Sequence, residues 1–296
     1  MIMENKMVQM KRFSLFVLLA LGTLACNKNE ITGEFLTIEA GLPTQATKTT
    51  LGDKTGNAWP LLWSEDDRLL LNGVQSTALS AGDAGGATAT FKFSGVGGAT
   101  VWNYTYCGVA GSDCQVVFPA SQNCSNGTLA SETLPMYASS SSVSSITLSP
   151  LGAVLRFSFT SSSAVTVSQI EIAAIGGESV CGNYTIGKDG SGLLNGSLSA
   201  AGNNRDNLII AAGVALSSSP GAFCFVLPAG TYSSGFQGKI TASDGKVMEV
   251  WFNTKSNKTL AAGTLYDFGS AEFVPMGSSI MTVLSTESFA VDTVTY

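Results

Sequence analysis

Between Gly152 and Phe159 the chain alternates. Ala153, Leu155, Phe157 and Phe159 would face one side of a strand, and Val154, Arg156 and Ser158 the other. A period of two is the pattern of a half-buried sheet strand, and it recurs along the chain. Ala89, Phe91 and Phe93 alternate with Thr88, Thr90 and Lys92, and Val165, Val167, Ile170 and Ile172 mark another such run. Past the first two dozen residues no stretch sustains a helical period. With 33 glycines and only 12% charged residues among 296, the composition suits a turn-rich, all-β protein, and 45% hydrophobic residues are ample for its cores.

The alternating run follows a polar one. Ser139 to Ser142 and Ser144 to Ser145 read as an exposed connection, either the join between two β-rich halves or a long surface loop inside one domain. Taken as a join, it divides the chain into residues 1–25 (signal peptide), 26–148 (first β domain), 149–273 (second β domain) and 274–296 (β-prone extension).

The start of the chain has a secretory character. Lys6, Lys11 and Arg12 precede the apolar run Phe13 to Leu21, which is too short to span a bilayer comfortably, and small residues follow it. Leu24-Ala25-Cys26 resembles a bacterial lipobox, with Thr23 where leucine is more usual. It makes Cys26 the expected lipid attachment point, and acyl chains there would hold the protein to the outer membrane. An ordinary signal with a nearby free cysteine is the alternative.

Several kinds of chemistry have little to work with. The chain contains no histidine, so Ser-His-Asp and Cys-His catalysis and the usual zinc ligand are absent. A net charge of −6, with Arg12, Arg68, Arg156 and Arg205 as the only arginines, argues against nucleic acid. No cofactor or metal is expected. Glu65, Asp66 and Asp67 could serve a carboxylate-based hydrolase, but consecutive acids on a strand point to opposite faces, and calcium loops space their ligands at alternate residues. A solvated turn at Ser64 to Asp67 is the simpler reading. Trp59, Trp63, Trp102 and Trp251 could stack on sugars, although each lies in or beside a strand. Cys107, Cys114, Cys124, Cys181 and Cys224 are odd in number. Cys107 with Cys114 or Cys124 could staple a loop, and Cys224, inside Phe223-Cys224-Phe225, reads as a small core residue.

Ile31 to Leu42 is the first expected strand, with Leu36, Ile38 and Ala40 on one face. Thr44 to Asn57 follows as a polar loop whose Lys48 and Lys54 offer protease sites. Asp244-Gly245, between Lys239–Ser243 and Lys246–Phe252, predicts a tight hairpin. At the far end Ile280 to Leu284 and Phe289 to Tyr296 are β-prone and must pair, either within their own domain or with a neighbouring molecule.

Several of these pieces together resemble the fimbrillin-like family, the type V pilins and related surface lipoproteins of Gram-negative anaerobes. They are Thr47-Lys48-Thr49, Leu61-Leu62-Trp63-Ser64-Glu65-Asp66-Asp67-Arg68, Val117-Phe118-Pro119-Ala120-Ser121, Leu134-Pro135-Met136-Tyr137-Ala138 leading into Leu151 to Phe157, Val226 to Tyr232, and Ala262-Gly263-Thr264-Leu265-Tyr266. The likeness spans roughly Thr47 to Phe268. It implies two tandem transthyretin-like β-sandwich domains after a lipoprotein signal, no catalysis, and adhesion at the cell surface. It also implies assembly with copies of itself or related pilins, and a host or bacterial surface ligand. In polymerising members an extracellular cut releases the first strand, and the C-terminal extension of the next subunit fills the groove. Carried over, Ile31 to Leu42 would leave, and Ile280, Leu284, Phe289, Val291, Val294 and Tyr296 would belong to the donor strand. One departure stands out: the loop after the first strand has lysines, not the arginine that an arginine-specific protease needs.

Overall fold

The computed structural model describes residues 35–43, 61–125, 127–253 and 259–288; of Cys124, Ser125, Asn253 and Ser288 it describes only the backbone. Every regular element among the described residues is a strand. The strands up to the Ser-rich run and just beyond it are β1 (Leu36–Gly41), β2 (Leu70–Leu71), β3 (Val74–Gln75), β4 (Thr88–Phe93), β5 (Trp102–Tyr106), β6 (Gln115–Phe118), β7 (Ser121–Ser125), β8 (Thr128–Leu129), β9 (Met136–Ser140), β10 (Ile146–Thr147) and β11 (Ser149–Pro150). After them come β12 (Gly152–Thr160), β13 (Val165–Ala174), β14 (Cys181–Lys188), β15 (Leu194–Arg205), β16 (Asn207–Leu216), β17 (Gly221–Pro228), β18 (Gly230–Thr231), β19 (Phe236–Ala242), β20 (Val247–Asn253), β21 (Thr259–Leu260), β22 (Thr264–Glu272), β23 (Ser278–Thr282) and β24 (Ser285–Ser288).

The buried residues form one continuous cluster, and two of the sheets around it run in the orders β10-β1-β4 and β11-β9-β5-β2-β3. Trp63 lies between them. Its ring meets Phe91 of β4 edge-on at 4.8 Å and Tyr106 of β5 at 5.5 Å, and it is 1% exposed. Edge-to-face packing of this kind adds about 0.5–1.5 kcal/mol per pair to the gain from burial. The alternation of β4 is fully realised: Ala89, Phe91 and Phe93 are buried while Thr88, Thr90 and Lys92 face out.

The same cluster continues between sheets ordered β17-β12-β22-β24 and β23-β20-β19-β13-β16-β7-β8. Phe252 of β20 reaches across to Phe157 of β12 at 4.8 Å, Phe268 of β22 at 5.3 Å and Phe225 of β17 at 6.4 Å. These inward aromatics explain the period of two along each strand. Val154 departs from it, being fully buried on the face expected to meet solvent. The start of β12 is covered on both sides, since Phe118 of β6 lies 2.9 Å from where a side chain at Gly152 would begin.

Strands from before the Ser-rich run also enter the later sheets. β6 pairs antiparallel with β14 in a fifth sheet, β15-β14-β6, and β7 pairs parallel with β16 through Ser121↔Ile209 to Asn123↔Ala211. Gln122, 1% exposed, lies across the outer edge of β17. Its amide donates to the Val226 carbonyl and accepts from the Val226 N–H, both at 2.8 Å, as a paired strand would.

The Asp244-Gly245 hairpin forms with a different turn from the two-residue one expected. Gly245 N–H donates to the Ala242 carbonyl, and only Gly245 takes a positive φ, of 83°. Lys246 N–H is held by the Asp244 carboxylate at 3.1 Å. This is a type I turn followed by one left-handed residue, the next commonest hairpin connection.

Candidate functional site

Strand β1 is held unequally on its two sides. Along one it pairs antiparallel with β4 over all six residues, from Leu36↔Phe93 to Gly41↔Thr88. On the other it pairs parallel with β10 at only two positions, Ala40↔Ile146 and Gly41↔Thr147, and Leu148 N–H then bonds the Gly41 carbonyl at 2.9 Å. Ile38, Ala40 and Leu42 point into the core at 2%, 0% and 2% exposure. The Trp63 indole N–H donates to the Ala40 carbonyl at 3.1 Å. Lys48 and Lys54 lie outside the described residues, as do Cys26 and Trp59.

Later in the chain, β23 and β24 each form the edge of a sheet. β23 pairs parallel with β20 from Glu249↔Ser278 to Asn253↔Thr282, and β24 pairs antiparallel with β22 from Thr264↔Ser288 to Asp267↔Ser285. Ile280 and Leu284 are mostly exposed, at 71% and 66%. The Leu284 N–H bonds the Asp267 carbonyl at 2.7 Å, and its side chain covers Gly269. Phe289, Val291, Val294 and Tyr296 lie outside the described residues.

The acids of the Ser64 to Asp67 turn have separate fates. Glu65 and Asp66 face solvent, whereas Asp67 is 1% exposed, so the expectation of a wholly solvated turn is corrected. Asp67 accepts from Ser64 N–H at 2.6 Å and from the Tyr106 hydroxyl at 2.7 Å, and that hydroxyl accepts from Glu132 N–H at 2.7 Å. A carboxylate out of water needs such donors, and here they tie the turn to β5. Burial, reinforced by neighbouring Cys107 and Asp67, pushes the Tyr106 phenol well above its ordinary range. Among the tryptophans Trp63 and Trp102 are buried at 1% and 8%, so they offer no exposed stacking face. Cys107 and Cys114 are half-buried thiols and Cys181 is a buried one. Burial, with Glu132 and Asp67 nearby, pushes the Cys107 thiol up.

The Ser-rich run does more than connect. Ser139 and Ser140 belong to β9, and with Tyr137, Ser144, Ser145, Ile146, Thr147 and Ser149 they line a cleft of about 420 Å³. One wall is fixed by polar contacts. The Ser139 hydroxyl donates to Asn103 at 2.6 Å and accepts from Leu194 N–H at 3.1 Å. The Asn103 amide donates in turn to Asp113 at 3.1 Å and to the Gly192 carbonyl at 3.2 Å, and Lys188 bonds Asp113 at 2.6 Å. No motif announces this cleft, because its residues come together only when β10 seats beside β1.

No family model matches the sequence, and no curated relative matches it. Solved structures do. The chain is similar to a candidate cell adhesion protein from Bacteroides uniformis, at 12% identity and a TM-score of 0.47, covering 86% of this chain and 99% of that one. It is similar to another from Bacteroides ovatus, at 12% identity and 0.46, covering 87% and 99%. A third likeness is to the tip fimbrial protein Mfa3 from Porphyromonas gingivalis, at 10% identity and 0.38, covering 85% and 97%. With identities and scores this low, the functional reading rests on the residues of this chain.

Proposed function

We propose that this chain is a lipid-anchored surface subunit of fimbrial type, which serves adhesion by joining copies of itself or related subunits through strand exchange. The observation that carries this reading is the lopsided seating of β1, paired over six residues on one side and two on the other. A strand so placed, followed in sequence by Lys48 and Lys54, is a stave that a single cut could free. Its loss would bare Phe91, Phe93 and Trp63, and an incoming strand would refill the groove with main-chain hydrogen bonds and alternate side chains. The C-terminal segment from Ile280 to Tyr296 supplies the incoming strand, and Cys26 holds the base of the assembly at the outer membrane. No catalysis is assigned, since Asp67 is already engaged by Ser64 and Tyr106.

Purified mature protein, nicked with trypsin between residues 44 and 57, should give an SDS-resistant ladder on an unboiled gel. Deleting residues 280–296 should abolish it. A nicked chain that stays monomeric in both forms would sink the strand-exchange reading.

A further inference from the structure

We infer that the cleft walled by β9, β10 and the serine loop between them is a binding site for a neutral saccharide. Three features lead there. The first is size: about 420 Å³ falls within the range of small-ligand sites. The second is chemistry. Ser144, Ser145, Thr147 and Ser149 present hydroxyls that have no protein partner among the described residues, and a hydroxyl both donates and accepts, as a sugar hydroxyl does. The lining is mainly polar, so hydroxyl-to-hydroxyl hydrogen bonds and not ring stacking would hold the sugar. The third is charge. Among the described residues no Lys, Arg, Asp or Glu lines the cleft, so a charged sugar would lose water there without gaining a counter-ion from them.

The wall opposite the loop is built to hold its shape. Ser139 has both hydrogen-bonding roles filled, by Asn103 and Leu194, and Asn103 is 2% exposed. The loop wall depends on β10, which is anchored to Ala40 and Gly41 of β1. A ligand can therefore occupy the cleft only while β1 is seated. The site lies in the intact monomer with β1 in place, so its test on the uncut chain does not depend on whether the chain polymerises.

Saturation-transfer NMR on the mature chain tests this with lactose, cellobiose and N,N′-diacetylchitobiose as neutral probes and sialyllactose as a charged one. At least one neutral probe should bind, with affinity in the millimolar range, and more tightly than sialyllactose. The double variant Ser144→Arg/Ser145→Arg, placed in the loop outside any strand, should weaken that binding at least about tenfold. Ser149→Arg, approaching from β11, should do the same, which guards against a loop variant that perturbs the fold. Silence from all three neutral probes, equal binding of sialyllactose, or undiminished binding by both variants would overturn the assignment.

Discussion

Trp63 and Ala40 are joined by an indole N–H to carbonyl hydrogen bond of 3.1 Å across 23 residues of sequence. Ala40 lies in β1, where the strand also meets β10, so this bond fastens the strand where it is paired on both sides. Trp63→Phe keeps most of the aromatic packing and deletes the donor, leaving a buried carbonyl with its strand partner alone. The expected cost is about 1–3 kcal/mol. Amide hydrogen exchange should rise first in residues 36–41. Uniform exchange throughout the strands would show instead that the indole serves packing alone.

Tyr106 and Asp67 form a second buried link. Tyr106→Phe removes one donor from a carboxylate that is 1% exposed and an acceptor from Glu132 N–H. Urea unfolding should register a loss of about 1–3 kcal/mol. A loss within experimental error would mean that water replaces the phenol.

The Asp113–Lys188 pair makes stability depend on pH. Burial raises the Asp113 carboxyl, but hydrogen bonds from Lys188 and Asn103 outweigh it, so the folded value lies below the ordinary one. A depressed carboxylate contributes stability that is present above its unfolded pKa, about 3.9, and lost as pH falls through the lower folded value. With side chains 35% and 37% exposed, solvent screening limits the pair to about 1 kcal/mol or less. Asp113→Asn should unfold earlier than the parent near neutral pH, and the two melting curves should converge in acid. A constant gap at all pH values would assign the loss to Asn103 geometry and not to charge.

Gly269 has φ of 74°, and a side chain there would start against Leu284. Gly269→Ala should therefore loosen β24 from β22 and leave the Phe157–Phe252 contact intact. Exchange confined to residues 284–288 is the expected readout; a global loss of stability would place Gly269 in the core instead.

Much of the architecture was legible from alternation alone, because strands such as β4 bury one face against a single core. Val154 was misread where Phe118 approaches from outside, since a period of two reports one covered face and cannot reveal a second. Asp67 looked like surface because Tyr106, whose hydroxyl donates to it, is remote in sequence. Gln122, a polar residue in a polar stretch, gave no hint that it would complete the edge of β17. The serine cleft was hidden for the same reason, as hydroxyl-rich loops are common and only the seating of β10 makes this one concave. In the tail the β-propensity of Ile280 to Leu284 was plain, but Ser285 to Ser288, which reads as a spacer between two β-prone runs, forms β24 against β22, because propensity carries no address.

The placement of β6 and β7 bears on how the chain is made. Both emerge early in synthesis, yet their partners are residues 182–185 and 209–211. Until those residues arrive, β6 and β7 are open edges able to recruit the wrong strand. The first half of the chain therefore cannot complete its sheets before residues 182–185 and 209–211 of the second half are in place.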